Sequence, residues 1–403
     1  MRVVYLSPCG QMGGAEICLV DMLLSVRAAQ PGWQLCLVVG EDGPLAGHAR
    51  AAGVHVIVAP FPRRLARLGD SGNGPLQAVW SSMKAAAATL RYAWNLRRTM
   101  AELQPAVIHT NGFKMHVLGV WVRPKNIPVI WHVHDYVSTR PLMKTLLRLH
   151  AHRCAGVIAN SNSVARDVRQ VCGSQPDTVC IYNAVDLQRY SPLDNTLPSS
   201  ETDLDSLAGL DRPDENTVRI GLVATLAHWK GHAVFLRALA RLPQDVPYRA
   251  YVIGGAIYQT ENSQRTVEDL RAMAVALGVS GRTAFTGYLP DTSGAMRALD
   301  IVVHASTQPE PFGRVIAEGM ACGRAVICSA AGGAAELITE GEDALAHSPG
   351  DEEGLAARIA ELIRDPELRG RLGRAGRTTA ERRFDPSRLS SELIPMYLRV
   401  SRP

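Results

Sequence analysis

The sequence predicts an α/β protein built from two doubly wound parallel-sheet halves. Three observations point to it: the length, one strand-then-helix rhythm in both halves, and a polar segment between them. At 403 residues the chain exceeds one ordinary core, so two domains are expected. In the first half RVVYL, QLCLVVG, VHVIVA, AVIHTN, PVIWHVHD, GVIANS and DTVCIYNAV read as strands, each followed by a loop or helix. In the second half VRIGLVATL, YRAYVIGG, TAFTGYL, DIVVHAS, RAVICSAA and EDALAHS repeat the pattern. Such alternation is that of a parallel sheet wrapped by helices. Residues 191–216 between the halves are polar and rich in Pro, Ser and Asp, as linkers and exposed loops are. Their Asp203-Leu204-Asp205 looks like a metal-binding pair of acids but follows no strand, and is read as chance.

A hydrophobic content of 46% with 20% charged residues excludes disordered and fibrous classes. Eight cysteines, at 9, 18, 36, 154, 172, 180, 322 and 328, form no CxxC pair and read as reduced thiols of a cytosolic protein. The start, MRVVYLSPCG, lacks the apolar core of a signal peptide, and no apolar run reaches the length of a membrane span. Residues 1–186 hold 19 Lys and Arg against 10 Asp and Glu, a net of +9, while the remainder is net −4. A basic first half suits an anionic partner there, and scatter of surface charge is the plain alternative.

One predicted helix of that half carries Leu76, Val79, Trp80, Met83, Ala87, Leu90 and Trp94 on one face, with Lys84, Arg91 and Arg98 elsewhere. Upstream lies the basic, Gly-rich stretch FPRRLARLGDSGNGP. The spacing predicts packing on the sheet; the sharper reading is a Trp-bearing basic surface that touches a membrane or acceptor.

Ligands of open α/β sheets bind outside the carboxyl ends of the strands, and the informative residues fall there. After the first strand, Gly10, Gly13 and Gly14 feed a helix, where backbone amides can approach a phosphate. At the end of PVIWHVHD, His132 and His134 point to one face, beside His109 and Asn111 of a neighbouring strand, and His134 is expected to face the crevice. A His-x-His pair without further ligands does not make a zinc site. In the second half Lys230-Gly231 follows a strand, and VIGG (252–255) and AAGGAAEL (330–337) bring glycines to two more strand ends. PEPFGRVIAEGMACGRAVI (309–327) places Glu310 just before a helix and Glu318 two turns inside it. A helix start favours negative charge at Glu310. That does not account for Glu318, whose neighbours Ile316, Ala317, Met320 and Ala321 look buried.

In this order the motifs resemble those of the retaining GT-B glycosyltransferases of family 4. Glu310 to Glu318 are similar to the family's E-x7-E motif, preceded by LDIVVHAS; GGAE (13–16), YNAVD (182–186) and HWKG (228–231) match further elements. The resemblance covers nearly the whole chain. It implies a GT-B fold, two Rossmann-like doubly wound domains facing across a cleft. Residues 1–186 would bind acceptor, 187–216 form the linker and hinge, 217–380 bind the nucleotide-sugar donor, and 381–403 form a helix crossing back.

By the same resemblance, Glu310 would accept hydrogen bonds from donor-sugar hydroxyls, and Glu318 from both ribose hydroxyls. A carboxylate suits vicinal hydroxyls because it offers two acceptor oxygens. Amides at Phe312 and Gly313 would face sugar and diphosphate. Lys230 and the amides of Gly13 and Gly14 would stabilise the departing diphosphate, and His134 would orient the sugar. Thr225 stands where the family usually has an arginine, so a phosphate-binding cation is missing and Arg314 is a candidate substitute.

The implied protein is a retaining hexosyl- or related glycosyltransferase. It moves a sugar from a UDP- or GDP-sugar to a hydroxyl acceptor (a glycan, a lipid-linked or a small molecule), with no metal, cofactor or nucleic acid. It would be cytoplasmic, with peripheral contact at the inner face of the membrane through the basic N-terminal domain. A nucleotide-sugar isomerase or glycosyl phosphorylase on the same architecture, and a catalytically dead nucleotide-sugar-binding protein, are the alternatives.

Overall fold

The computed structural model describes residues 1–62, 75–192, 202–255 and 264–402, the side chains of 75–85 excepted. The chain divides into two compact units, Met1–Ala184 with Pro386–Pro403, and Val185–Asp385. Each holds one all-parallel sheet. All thirteen runs read as strands form strands.

The first sheet contains β1 (Arg2–Ser7), β2 (Gln34–Val39), β3 (His55–Val58), β4 (Val107–Asn111), β5 (Val129–Val133), β6 (Gly156–Ala159) and β7 (Thr178–Cys180), in the order β3-β2-β1-β4-β5-β6-β7. Every residue of β4 and β5 is buried, as strands covered on both faces must be. Helices α1 (Gly14–Ala29) and α2 (Pro44–Ala51) cover one face through Leu19, Met22, Leu23 and Leu45. The other face carries α3 (Pro75–Leu103), α4 (Phe113–Val122), α5 (Pro141–His150) and α6 (Asn162–Cys172), packed through Tyr92, Leu96, Met115, Leu147 and Val164.

The apolar stripe read on α3 is not its packing stripe. Ala87, Leu90 and Trp94 are exposed, while Tyr92, Leu96 and Met100 face the core. Sequence spacing shows that a stripe exists but not which side the sheet occupies. The side chains of Leu76, Val79, Trp80, Met83 and Lys84, and residues 63–74, lie outside the described residues.

The second sheet contains β8 (Val218–Val223), β9 (Tyr248–Ile253), β10 (Thr283–Gly287), β11 (Ile301–His304), β12 (Ala325–Ser329) and β13 (Leu345–His347), in the order β10-β9-β8-β11-β12-β13. Strand order reverses between β1 and β4 in one sheet and between β8 and β11 in the other. In doubly wound sheets such switch points open the crevice where ligands bind.

Part of the expected linker is built in rather than exposed. Residues 193–201 lie outside the described residues, but Leu204–Ala208 forms the short helix α7, capped by Asp203 on Ser206 N–H at 3.0 Å. Asp205 is fully buried, accepting from Arg219 Nη2 at 3.1 Å, Arg249 Nη1 at 2.9 Å and the Tyr251 hydroxyl at 2.8 Å. The Asp-Leu-Asp pattern is therefore a helix cap followed by a buried ionic anchor to β8 and β9. Among the described residues no cluster of three or more His, Cys, Asp or Glu could hold a metal ion.

The remaining helices of this unit are α8 (His232–Ala240), α9 (Val267–Ala276), α10 (Ser293–Ala298), α11 (Arg314–Ala321), α12 (Glu352–Arg364) and α13 (Pro366–Arg383). The chain then returns to the first unit in α14 (Ser387–Val400), which packs on α1. Ser390 N–H donates to Ser25 Oγ at 3.0 Å, and the Tyr397 hydroxyl lies 2.8 Å from His109 Nδ1. No described helix is long and apolar enough to cross a membrane.

Gly231, between β8 and α8, shows how tightly the switch point is closed. It has φ +77°, and a Cβ there would sit 1.8 Å from the Ala305 carbonyl oxygen beyond β11. Gly231→Ala is expected to destabilise the protein by about 2 kcal/mol or more, measured by urea unfolding; unchanged stability would contradict this close approach.

Candidate functional site

In the second unit the loops after β8 and β11 lock together. Thr307 N–H donates to the Trp229 carbonyl at 2.7 Å, and Gly231 abuts Ala305. Lys230 is thereby fixed beside the end of β11. Its Nζ donates to Glu310 Oε1 at 2.7 Å, and both side chains are mostly buried.

Glu310 is held from every side. Ser306 Oγ donates to its Oε2 at 2.7 Å, and His304 Nε2 lies 3.4 Å from the same oxygen. Its own N–H donates to Ala331 O at 3.2 Å, and Gly333 N–H donates to its carbonyl at 2.7 Å. The AAGG stretch after β12 thus fixes the Glu310 backbone. Burial alone would raise the Glu310 pKa, but the Lys230 charge and His304 hold the carboxyl well below its ordinary value. It is an ionised, acceptor-only group.

The helix α11 begins after Gly313, whose φ of +92° turns the chain from Glu310 into the helix. Phe312 is buried against Phe384, with ring centroids 6.0 Å apart, and anchors the turn. Ile316, Ala317, Met320 and Ala321 are fully buried, and Glu318 among them is 8% exposed. Arg314 Nε donates to Glu318 Oε1 at 3.2 Å. The sequence-nominated substitute cation is therefore paired with the second motif carboxylate. Thr225, after β8, carries a buried hydroxyl without a hydrogen-bond partner.

In the first unit, α1 starts at Gly14, and Gly13 N–H donates to Glu16 Oε2 at 3.2 Å. An anion at this loop would compete with Glu16 for that amide, while the other amides of the helix start follow from Gly14. His134, just past β5, has Nε2 2.6 Å from Asn111 Oδ1, and its Nδ1 is unpartnered. The His132 ring lies 3.9 Å away between centroids, tilted by 48°, fully buried and with neither ring nitrogen hydrogen-bonded. Burial lowers the His134 pKa to about 3; burial, together with the neighbouring His134, does the same for His109 and pushes His132 well below its usual value. All three are neutral near pH 7.

Sequence reasoning brought together Lys230, Glu310 and Glu318, but missed Ser306 and His304. Their signal was present: His304 ends β11 and Ser306 follows two residues later, close in sequence to Glu310.

A family model described as glycosyl transferases group 1 matches residues 211–379, and one described as Glycosyltransferase Family 4 matches residues 13–189. LpsD of Rhizobium meliloti (strain 1021), a lipopolysaccharide core biosynthesis glycosyltransferase, is 36% identical over 317 residues, 75% of this chain and 78% of its own. LpsE of the same organism, also a lipopolysaccharide core biosynthesis glycosyltransferase, is 30% identical over 189 residues, 47% of this chain; the match spans about half of LpsE, 52%. The crystal structure of Anabaena Alr3699/HepE in complex with UDP superposes with a TM-score of 0.78 at 27% identity, over 99% of this chain and 100% of that one.

The buried histidines generate a pH dependence. A histidine whose folded pKa lies below its unfolded value, about 6.5, contributes its full stability above that value and loses it as pH falls toward the folded one. Stability should therefore drop between pH 7 and 5, each such histidine adding about 1.4 kcal/mol per pH unit once below the unfolded pKa. Urea melts across this range should show it, and His132→Leu should flatten the slope; a pH-independent wild type would contradict it.

Proposed function

The chain belongs to the glycosyl transferases of group 1, with their GT-B fold, and from that membership we propose that it moves a sugar from a nucleoside diphosphate donor to a hydroxyl acceptor with retention. The observation that carries this reading is the E-x7-E segment at the switch point of the second sheet, with Glu310 held ionised by Lys230, Ser306 and His304. The nucleoside is uridine in this reading, supported by the complexes of HepE with UDP and with UDP-glucose.

Glu310 accepts hydrogen bonds from the sugar hydroxyls, and Glu318 from the ribose. Lys230, with three N–H donors, holds Glu310 and a phosphate oxygen together. The Phe312 and Gly313 amides add donors to the developing charge. Thr225 offers a hydroxyl. His134 presents a neutral imidazole that orients the sugar and does not attack it.

The bond from the anomeric carbon to the diphosphate oxygen breaks as the bond to the acceptor oxygen forms on the same face. A phosphate oxygen of the donor takes the acceptor's proton, so the products are the glycoside and the protonated nucleoside diphosphate. The positive charge comes from side chains and amides, and no metal or cofactor takes part in this reading.

The first unit also offers a surface for an anionic bilayer, consistent with a cytoplasmic enzyme working at the inner face of the membrane. Residues 86–155 carry ten Lys and Arg and two Asp and Glu. On their helices Leu90 and Trp94 of α3 and Leu149 of α5 are 68, 64 and 64% exposed, and Arg91, Arg97, Lys144 and Arg148 are exposed beside them. Apolar side chains interleaved with cations suit the headgroup region, each basic residue adding about 1 kcal/mol near an anionic surface.

At 100 times its dissociation constant UDP should add about 2.7 kcal/mol of stability. A thermal-shift panel of UDP, GDP and ADP should show this response in wild type and its loss in Glu318→Ala, and EDTA should leave turnover unchanged. No response to any nucleotide would overturn the donor reading. Vesicles containing phosphatidylglycerol should co-sediment the protein, Trp94→Ala with Arg91→Glu should release it, and equal binding to phosphatidylcholine would contradict the anionic surface.

A further inference from the structure

The two cations beside the E-x7-E segment are already matched to carboxylates, Lys230 to Glu310 and Arg314 to Glu318. A diphosphate arriving there meets two ion pairs with no net charge between them. Arg265 differs from both. Its segment runs back along the chain that leaves β8: Arg265 N–H donates to Leu226 O at 2.8 Å, and Gln264 forms an antiparallel bridge with Ala227. Arg265 therefore stands at the carboxyl end of β8, next to the turn that carries Lys230. It is half-buried, and its guanidinium makes no hydrogen bond or ion pair among the described residues.

Two further polar groups at this strand end lack partners. The Thr225 hydroxyl is buried and unbonded. His232, the first residue of α8, is 1% exposed with both ring nitrogens unbonded. Burial lowers its pKa to about 4, and the charges of Arg265 and Lys230 push in the same direction. Buried polar groups without partners are uncommon and call for an explanation, of which a polar ligand is one. A guanidinium is suited to phosphate because its planar N–H donors match two oxygens at once.

We propose that Arg265 is the second cation of the donor site, binding the diphosphate from the side of β8 opposite Glu310, with the Thr225 hydroxyl beside it. The proposal rests on the nucleotide-donor reading above, and the experiment separates the two. Isothermal titration of the full chain with UDP, UMP and uridine is run on wild type, Arg265→Ala and Arg265→Lys, with unliganded thermal midpoints as the folding control.

Arg265→Ala should weaken UDP by about 10- to 100-fold, weaken UMP less and leave uridine unchanged. Arg265→Lys should recover part of the loss and keeps the test informative if the alanine variant folds poorly. If wild type binds UDP and both variants bind it equally well, Arg265 does not touch the diphosphate and the proposal falls while the donor reading stands. If uridine weakens as much as UDP, Arg265 acts on the shape of the site and the assignment to phosphate is wrong. If wild type binds neither UDP, GDP nor ADP, the donor reading fails and takes this proposal with it.

Discussion

The ion pair between Lys230 and Glu310 is the constraint around which the second unit is arranged. It bridges the loops after β8 and β11, across the point where strand order reverses. Two mostly buried charges give little net stability, because desolvating them offsets much of their attraction. Yet the surrounding chain is fixed to maintain the pair: Gly231 lies against Ala305, Thr307 binds Trp229, Ser306 binds Glu310, and the glycines after β12 bind its backbone. So much structure around a poor stabiliser fits the proposed role of the pair in binding a ligand. An ammonium with donors to spare beside an acceptor-only carboxylate can hold phosphate and sugar hydroxyl side by side.

Asp205 gives the contrasting case. It is also a buried carboxylate with cationic partners, but Arg219 and Arg249 near the amino ends of β8 and β9, with Tyr251 of β9, take up its acceptor capacity. Nothing about it faces a strand's carboxyl end. The two carboxylates differ in position and saturation, and those features separate an anchor from a binding group more clearly than burial does. The histidines of the first unit lie between these cases. His132 is buried without partners, whereas His134 is oriented by Asn111 at the end of β5.

The strands were legible because β-branched runs bounded by loops have few other readings, and all appear. The spacing of Glu310 and Glu318, and Lys230 after a strand, were legible because chemistry and turn residues lie close together in the chain. What escaped were contacts made by the fold. Arg265 reaches the Lys230 turn only through a bridge between segments forty residues apart, and no local pattern marks it. Asp205 looked like part of an exposed linker because its partners lie on strands yet to come. On α3 the stripe read from the sequence is not the one that packs, since Tyr92, Leu96 and Met100 are buried while Leu90 and Trp94 are exposed.

The central claim is that Glu310 and an incoming diphosphate share Lys230. It is tested most directly by titrating UDP against wild type and Glu310→Gln and following sugar transfer by both. Removing the carboxylate charge frees the ammonium and removes a repulsion, so UDP should bind more tightly to the variant while transfer collapses. If Glu310→Gln binds UDP no better than wild type, or transfers sugar at the wild-type rate, Lys230 and Glu310 do not work as a donor-site pair.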